Sequence, residues 1–325
     1  MDALSQTLQA VRLMSAIFIQ ARFTAPWCYQ SPRALDAGAV LEPRAGSFVI
    51  FHLVTEGECF IEIAGEDPLR LVAGDVALVP QGEAHRLASH PGLEPLRGVR
   101  LEEILARPPR LLTYGGDGAA THIACGYLGC EARLGRLLLS GLPRIVRVNV
   151  RGSSAGAWLE ASVRYALEEA CSPRPGGSSV LAKLSEVLFI EVLRLYMQEM
   201  PAGPQARSGW LAGVGDRIVG AALHAMHARP AHAWTLEELA REALTSRSVL
   251  AERFQALVGS APMQYLTQWR MLLAANLLSS TTAPLTRIAE DVGYQTDTAF
   301  IRAFRREYGT PPAAWRRSRV VREPA

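Results

Sequence analysis

The chain has 325 residues, of which 49% are hydrophobic and 20% are charged, so its composition excludes a disordered protein and allows two domains with separate cores. Its formal net charge is only +3, so the charge of the whole chain does not predict a polyanionic partner. No run of eighteen apolar residues occurs, so no membrane-spanning helix is expected. The five cysteines, an odd number, disfavour a disulfide framework and predict a reduced, cytoplasmic setting.

The N-terminal third predicts a short helix followed by β structure. Leu4, Leu8 and Val11 have helical spacing, and the acidic start without a small-residue cleavage site argues against a signal peptide. From about residue 17 to residue 130, short runs rich in β-branched residues alternate with Gly and Pro. This spacing predicts a β-sandwich or barrel. The runs are SFVIFHLV, CFIEIAG, LRLVAG, DVALVP and HRLAS.

Two helices are predicted next, GAWLEASVRYALEEAC and SVLAKLSEVLFIEVLRLYMQEM, joined by SPRPGGSS. The second carries an apolar stripe, which either forms the contact between two copies of the chain or covers the barrel. The segment PAGPQARSGWLAG then predicts a linker because it is rich in Pro and Gly. The stripe consists of Leu181, Leu184, Leu188, Val192 and Leu195.

The last hundred residues contain a repeated unit. TLEELAREALTSRSVLAERFQALVG aligns with PLTRIAEDVGYQTDTAFIRAFRREYG, so that Leu239 matches Ile288 and Gly259 matches Gly309. Each copy has an apolar first helix, a tight turn, a capping Ser or Thr, and a second helix that ends at Gly. This pattern, occurring twice, predicts two helix-turn-helix units.

The arginines of the second copy favour a nucleic-acid partner. Arg302, Arg305 and Arg306 project from the sides of the helix that Phe300 and Phe304 do not occupy. A helix in the DNA major groove needs one face on a core and another that offers cations to phosphates and base edges. An ordinary surface helix with scattered Arg is the alternative, which two aligned copies disfavour.

The segment IAEDVGYQTDTAFIRAFRREYGTPPAAWR resembles the signature of the AraC/XylS family of bacterial transcription regulators, and the resemblance extends from about residue 214 to residue 320. It implies that two recognition helices enter successive major grooves. Glu252 departs from the Arg that is common there, and it could accept from cytosine N4 or face solvent. Arg316 and Arg317 are implied as further phosphate contacts. The implied DNA-facing residues are Ser246, Arg247, Ser248, Ala251, Glu252 and Arg253, then Thr296, Asp297, Thr298, Ile301, Arg302, Arg305 and Arg306.

The β region resembles a cupin. Gly74-Asp75-x4-Pro80-x4-His85 is similar to the second cupin motif, whereas only His52 remains of the metal-binding set of the first. The metal set of a cupin enzyme is therefore incomplete. Three interpretations stay open. His52, His85 and Cys125 could bind zinc or another divalent metal, a Cys28–Cys125 or Cys125–Cys130 pair could oxidise reversibly, or all these residues could be structural. The candidate redox cysteines are Cys28, Cys125 and Cys130.

We therefore predict an α+β multidomain protein. Residues 1–150 form a cupin-like β-barrel sensor domain, 151–200 a helical pair that dimerises, 201–213 a linker, and 214–320 an all-α domain with two helix-turn-helix units. The resemblance covers nearly the whole chain, with the segment order of AraC-like regulators that carry a cupin-like effector domain.

The resemblance implies a sequence-specific transcription regulator, not an enzyme, that binds double-stranded promoter DNA as a homodimer and acts with RNA polymerase. It would sense a small molecule, a metal or a redox state. The alternatives are a cupin-type metalloenzyme fused to a helical binding module, and an adaptor whose repeat binds protein. The sequence does not identify the effector or the operator, nor choose between activation and repression.

Overall fold

The computed structural model describes residues 3–10, 13–43, 45–95, 101–106, 110–130, 139, 141–152, 155–172, 174–199 and 209–320. The chain divides into two compact units, Val11–Gly203 and Met1–Ala10 with Pro204–Ala325. The described strands all belong to the first unit, whereas the second is helical and includes helix α1 (Ala3–Ala10). Among the described helices, none combines the length and the apolar character needed to span a bilayer.

The strands of the first unit form two sheets. The six-stranded sheet has the order β10-β6-β3-β9-β1-β8 and the four-stranded sheet the order β2-β7-β4-β5. The short helices α2 (Gly38–Leu41) and α3 (Leu101–Ala106) lie in connections between strands. The strands are β1 (Leu13–Thr24), β2 (Cys28–Ser31), β3 (Ser47–Glu56), β4 (Glu58–Glu62), β5 (Leu69–Val72), β6 (Asp75–Val79), β7 (His85–Ala88), β8 (Leu111–Gly115), β9 (Ala120–Cys130) and β10 (Val146–Asn149).

Side chains of both sheets share one core, which confirms the predicted β-rich, cupin-like domain. Phe23 and Phe48 come from the six-stranded sheet and Ile61 and Leu87 from the other, and all are buried in one cluster with Trp27. Alternate residues of each strand face this core because the side-chain period of a strand is two.

Asp75 anchors the turn into β6, as its Gly-Asp motif predicts. Its fully buried carboxylate accepts from the backbone N–H of Val72, from Arg147 Nε (3.0 Å) and from Asn149 Nδ2 (2.8 Å). A buried carboxylate is tolerated only when its oxygens are bonded in this way. The bonds join the ends of β5, β6 and β10.

The helical pair follows the barrel as predicted, with α4 (Gly156–Cys171) and α5 (Gly177–Glu199). Leu188 and Val192 of α5 line the same small cavity as Phe18 and Phe51 of the six-stranded sheet. The predicted stripe therefore covers the barrel and is not available to a second chain. Leu184 is half-buried, and the other four members, Leu181, Leu188, Val192 and Leu195, are each at most 9% exposed.

The second unit contains the two predicted helix-turn-helix pairs, α8–α9 and α11–α12, separated by the long helix α10. Gly259 and Gly309 end the second helix of each pair in the left-handed conformation, with φ of 81° and 72°. The helices are α6 (Trp210–Gly215), α7 (Arg217–Ala228), α8 (Leu236–Glu242), α9 (Arg247–Val258), α10 (Pro262–Ser280), α11 (Leu285–Asp291), α12 (Asp297–Tyr308) and α13 (Pro312–Val320).

Two boundaries differ from the predicted domains. The helix α1 belongs to the helical unit rather than to the barrel, and its Thr7 is fully buried beside His227 of α7. The predicted linker ends earlier than residue 213, because α6 already begins at Trp210, whose indole N–H donates to the Tyr265 hydroxyl (2.7 Å). Residues 201–208 of that linker lie outside the described residues.

Candidate nucleic-acid interface and buried histidine pair

The recognition helices α9 and α12 are held by aromatic and aliphatic side chains on one face. Leu250 and Phe254 of α9 are completely buried, and so are Phe300 and Phe304 of α12. Four-residue spacing places each pair on one side of its helix. The remaining sides of both helices therefore point away from the core.

Most of the residues implied to face DNA lie on those outward sides. All of them are exposed except Ala251 and Asp297, which are half-buried. Ser246 and Thr296 also cap their helices, because their side-chain oxygens accept from the backbone N–H groups of Val249 and Ala299 (both 3.3 Å). The first turn of each recognition helix thus presents short polar side chains to solvent.

Arg253 was predicted to contact DNA, but in the structure it is bound to an aspartate of the same unit. Its Nε and Nη2 donate to Asp216 Oδ2 at 2.9 and 2.6 Å, and Asp216 also caps α7 by accepting from the backbone of Ile218 and Val219. Burial alone would raise the pKa of Asp216, but the bonds from Arg253 and the two N–H groups lower it overall. Arg253 therefore ties α9 to α7, and its charge is already neutralised.

The second of these helices, α12, carries the exposed cations of the candidate interface. Arg302, Arg305 and Arg306 are exposed, and no described residue forms an ion pair with any of them. Arg305 and Arg306 lie in the last turn, where cations complement the helix dipole. Arg316 is not of this kind, because its Nη2 donates to the Ala283 carbonyl (2.6 Å).

Contacts that the sequence did not predict join the two helix-turn-helix pairs. Arg270 of α10 donates to the carbonyls of Pro230 and His232 (both 2.7 Å) and lies over the ring of Tyr294 (5.9 Å). Arg270 is the only charged residue of α10. A single charge in an otherwise uncharged helix is the sequence feature that could have indicated a bonded arginine. These bonds connect the loop before α8 to the turn before α12.

A chain of three side chains crosses the interior of the barrel. His52 on β3 lies opposite Cys125 on β9, and its Nδ1 is 3.1 Å from Cys125 Sγ. Its Nε2 is 2.7 Å from Nε2 of His85, which belongs to β7 of the facing sheet. His85 Nδ1 is 2.8 Å from the carbonyl oxygen of Glu83. The three predicted residues therefore do meet.

The carbonyl of Glu83 fixes the direction of every bond in this chain, because a carbonyl oxygen only accepts. His85 must donate from Nδ1 and accept at Nε2. His52 therefore donates from Nε2 and accepts a hydrogen bond from the Cys125 thiol at Nδ1. Burial lowers the pKa of His85 to about 4 and that of His52 well below its usual value, so both rings are neutral at pH 7. Burial also raises the pKa of the Cys125 thiol.

This arrangement does not fit the predicted metal site. One ring nitrogen of His52 bonds to His85 and the other to Cys125. A single metal ion therefore cannot be coordinated by all three residues. The two Nε2 atoms are 2.7 Å apart, whereas two nitrogens on a tetrahedral zinc are separated by about 3.3 Å. No group of three or more His, Cys, Asp or Glu within the described ranges is placed to hold a metal.

The cysteines do not form the predicted pairs. All five lie in the described part of the chain, and no disulfide joins them. Cys125 and Cys130 are five residues apart on β9, a separation of about 17 Å that no disulfide can span. Cys28 lies on β2, in the sheet that does not contain Cys125.

The sequence matches two families. The family described as Cupin matches residues 2–198, and that described as Helix-turn-helix domain matches residues 239–318. An AraC-like transcription regulator of Streptomyces lividans is 36% identical over 278 residues, covering 83% of this chain and 86% of that protein. The HTH-type transcriptional regulator AlkR of Acinetobacter baylyi is 27% identical over 319 residues, covering 97% of this chain and 99% of that protein.

Among solved structures, the DNA-binding domain of AdpA in complex with a target DNA is 31% identical, with a TM-score of 0.32, and covers 34% of this chain and 97% of that one. These relatives are transcription regulators rather than enzymes, and they give the cupin-enzyme alternative no support. With both domains matched and the relatives aligned over most of their length, this chain belongs to the AraC-like family of DNA-binding transcription regulators.

Proposed function

We propose that this regulator reads promoter DNA with both recognition helices and that its N-terminal domain senses a chemical signal through the buried chain Cys125–His52–His85. The single observation that supports the DNA part most is that both repeated helices, in one compact unit, bury an apolar side and expose a polar one. A helix with its other side fixed in a core is the element that the major groove admits.

The two helices have different tasks in this proposal. α9 offers Ser246, Arg247, Ser248 and Glu252, a set close to neutral that suits hydrogen bonds to base edges. α12 offers three guanidinium groups, which suit phosphates and hold the register. The first helix therefore contributes mainly to specificity, and the second mainly to affinity and its dependence on salt.

The spacing between the helices is part of the proposal. The turn at Gly293 lies directly against Ala231, since a Cβ at position 293 would approach the Ala231 carbonyl oxygen to 2.7 Å. Together with the bonds of Arg270, this contact fixes one helix-turn-helix pair relative to the other. Two rigidly spaced helices select half-sites that lie one helical turn apart on the same side of the duplex.

Assembly as a homodimer in the cytoplasm, acting with RNA polymerase, belongs to the same proposal. Because the stripe on α5 is covered, the contact between copies must use another surface. Trp158 and Tyr165, seven residues apart on α4, are 44% and 40% exposed, and such aromatic side chains dominate many interfaces. Sedimentation of the Trp158→Glu, Tyr165→Glu double variant tests this contact.

Fluorescence anisotropy with DNA from upstream of the protein's own gene tests the DNA part, with random DNA as the competitor. For Arg306→Ala we expect weaker binding and a salt slope about one unit shallower, because one phosphate contact is lost. The matched variant Arg253→Ala should keep the slope, since Asp216 already neutralises that arginine.

Equal and weak binding of upstream and random DNA would contradict sequence-specific regulation and would favour the protein-binding adaptor. An unchanged salt slope for Arg306→Ala would remove that residue from the interface. A change in slope for Arg253→Ala of the same size would show that the ion pair with Asp216 opens on DNA.

A further inference from the structure

We propose that Cys125, His52 and His85 form an oxidation site, in which the Cys125 thiol reacts with a small two-electron oxidant of the hydroperoxide class while His52 accepts the thiol proton. This inference rests on the proposed sensing role of the N-terminal domain and names the chemistry of the signal. It also gives the histidine pair a task other than the metal binding that it does not fit.

The directed hydrogen bonds support this assignment first. A nucleophile within reach of a base, with the base oriented by a third group, is the arrangement that activates a thiol. Here Sγ lies 3.1 Å from His52 Nδ1, and His52 Nε2–H donates to His85 Nε2 at 2.7 Å. His85 is in turn fixed by the carbonyl of Glu83, so it is a positioning residue that keeps Nδ1 of His52 unprotonated.

A base is needed because the thiolate is not formed in advance. Burial raises the pKa of Cys125, so at neutral pH the sulfur carries its proton and must lose it during the reaction. His52 Nδ1, 3.1 Å from the sulfur, is placed to take that proton. Because burial lowers the pKa of the ring, the proton moves while the sulfur attacks the peroxide, and no thiolate–imidazolium pair forms beforehand. The imidazolium formed would keep both of its bonds, one to sulfur and one to His85.

A small cavity beside the sulfur defines which oxidant fits. It has a volume of about 20 Å³, which admits roughly one water-sized molecule. His52 and Cys125 line it together with Ser31 and Tyr127, whose hydroxyl oxygens are 3.5 Å apart and can bond to a peroxide oxygen. Ile104 and Leu112, both half-buried, form part of its wall. The space excludes bulky thiol reagents, so an oxidant that reaches the sulfur must be as small as hydrogen peroxide.

The proposed reaction is balanced. The S–H bond breaks and its proton passes to His52 Nδ1, while a sulfur electron pair forms a bond to one peroxide oxygen. The O–O bond breaks, and the leaving hydroxide takes the proton from His52 to give water. Sulfur is oxidised by two electrons to the sulfenic acid, and the peroxide is reduced by two.

The test measures oxidation directly on the full-length reduced protein. Hydrogen peroxide is added, sulfenic acid is trapped with dimedone, and mass spectrometry locates the label while stopped-flow mixing gives the rate. We expect Cys125 to be labelled first and N-ethylmaleimide to alkylate it slowly. The Cys28→Ser variant is the matched control, because that buried thiol lies on the other sheet, and it should keep the wild-type rate.

Variants of the histidines test the proton path. His52→Gln should slow oxidation by about 100-fold, the lower end of what a positioned base contributes. His85→Leu should also slow it, whereas His85→Gln should restore much of the rate, because an amide oxygen can accept from His52 Nε2–H. A merely structural role would not show this rescue. If His52→Gln does not fold, the two His85 variants carry the test.

Reduced Cys125 after treatment that oxidises other cysteines would overturn the inference, and so would a wild-type rate in His52→Gln. Stoichiometric zinc that protects Cys125 in the purified protein would overturn it as well. These outcomes leave the DNA proposal standing, since that depends on binding by the reduced protein. Oxidation of Cys125 that leaves DNA affinity unchanged would instead overturn the sensing role.

Discussion

Leu244 and Gly293 occupy the same place in the two copies of the helix-turn-helix, in the turn between the helices. Both adopt left-handed backbone conformations, with φ of 51° and 83°. This conformation suits glycine, but it costs other residues about 1–2 kcal/mol. Leu244 gains little in return, because its side chain is 84% exposed, whereas Gly293 lies against the backbone of Ala231.

Substitutions at these two positions should therefore change stability in opposite directions. Leu244→Gly should stabilise the C-terminal unit by up to about 1 kcal/mol, after allowance for the greater freedom of glycine in the unfolded chain. Gly293→Ala should destabilise it by about 2 kcal/mol or more, because strain adds to the clash with Ala231. Calorimetric melting of both variants checks this, and shifts of the same sign would contradict it.

The buried histidine pair makes the barrel sensitive to mild acid. The pKa of His85 falls to about 4, mainly through burial and despite the hydrogen bond to Glu83, whereas an unfolded histidine titrates near 6.5. Between pH 6.5 and pH 4, the His85 imidazole is protonated in the unfolded chain and neutral in the folded one. The free energy of unfolding therefore has its full value with respect to His85 above pH 6.5. It falls by about 3 kcal/mol as the pH falls towards 4.

Unfolding of the N-terminal unit between pH 7 and pH 4.5 measures this loss. The wild-type protein should lose stability steeply, and His85→Gln should lose less, because the variant has no imidazole to charge at that position. Parallel pH profiles of the two proteins would show that carboxylates, rather than His85, cause the acid sensitivity.

At the scale of elements, the first helices of the two units are short and begin differently. α8 has seven residues and begins with a capping box, in which Thr235 Oγ1 accepts from the Glu238 N–H (3.1 Å) and the Glu238 carboxylate accepts from the Thr235 N–H (2.9 Å). α11 also has seven residues but begins at Pro284 without a side-chain cap. The first of these helices therefore depends on its cap, and the second on packing.

Thr235→Ala should cost the C-terminal unit about 1 kcal/mol, because it leaves a helix N–H without its partner. Thr286→Ala, at an exposed position in the first turn of α11, is the matched control and should change stability little. Chemical denaturation of both variants checks the difference. Equal losses would mean that the capping box contributes no more than any exposed threonine.

At the scale of the whole molecule, helix α1 belongs to the helical unit although the barrel follows it directly in the sequence. The barrel therefore lies in the sequence between two segments of the helical unit. The contact of α1 is specific, since the Thr7 hydroxyl lies 3.5 Å from His227 Nδ1, and His227 stacks on Trp269 at 3.9 Å. The barrel is therefore joined to the helical unit at two points of the chain.

Removal of residues 1–10 should lower the melting temperature of the helical unit while the barrel keeps its own. The physical reason is that the deletion removes the buried Thr7 from beside His227 of α7 and leaves both sheets intact. Calorimetry that resolves the two transitions tests this, with the barrel transition as the internal control. A lower barrel transition alone would show that α1 belongs to the barrel instead.

The sequence predicted the elements whose signals are local. The repeat, the caps at Ser246 and Thr296 and the terminal glycines 259 and 309 all act within a few residues, and the structure has them as predicted. The meeting of His52 and His85 was expected only from a motif, whereas the position of Cys125 opposite His52 required the register of β3 on β9. Register is a long-range property that no single strand specifies.

By itself, the sequence determined the fold class, the two helix-turn-helix units and the outward cationic face of α12, because periodicity and capping are encoded along one stretch of chain. Only the tertiary structure decided which charged side chains form ion pairs within the protein and which remain exposed to solvent. It paired Arg253 with Asp216, 37 positions away, buried the α5 stripe against the barrel, and turned a suspected metal site into a line of hydrogen bonds. Such pairings depend on distances between elements that are remote in sequence, and these distances exist only once the sheets and helices have packed.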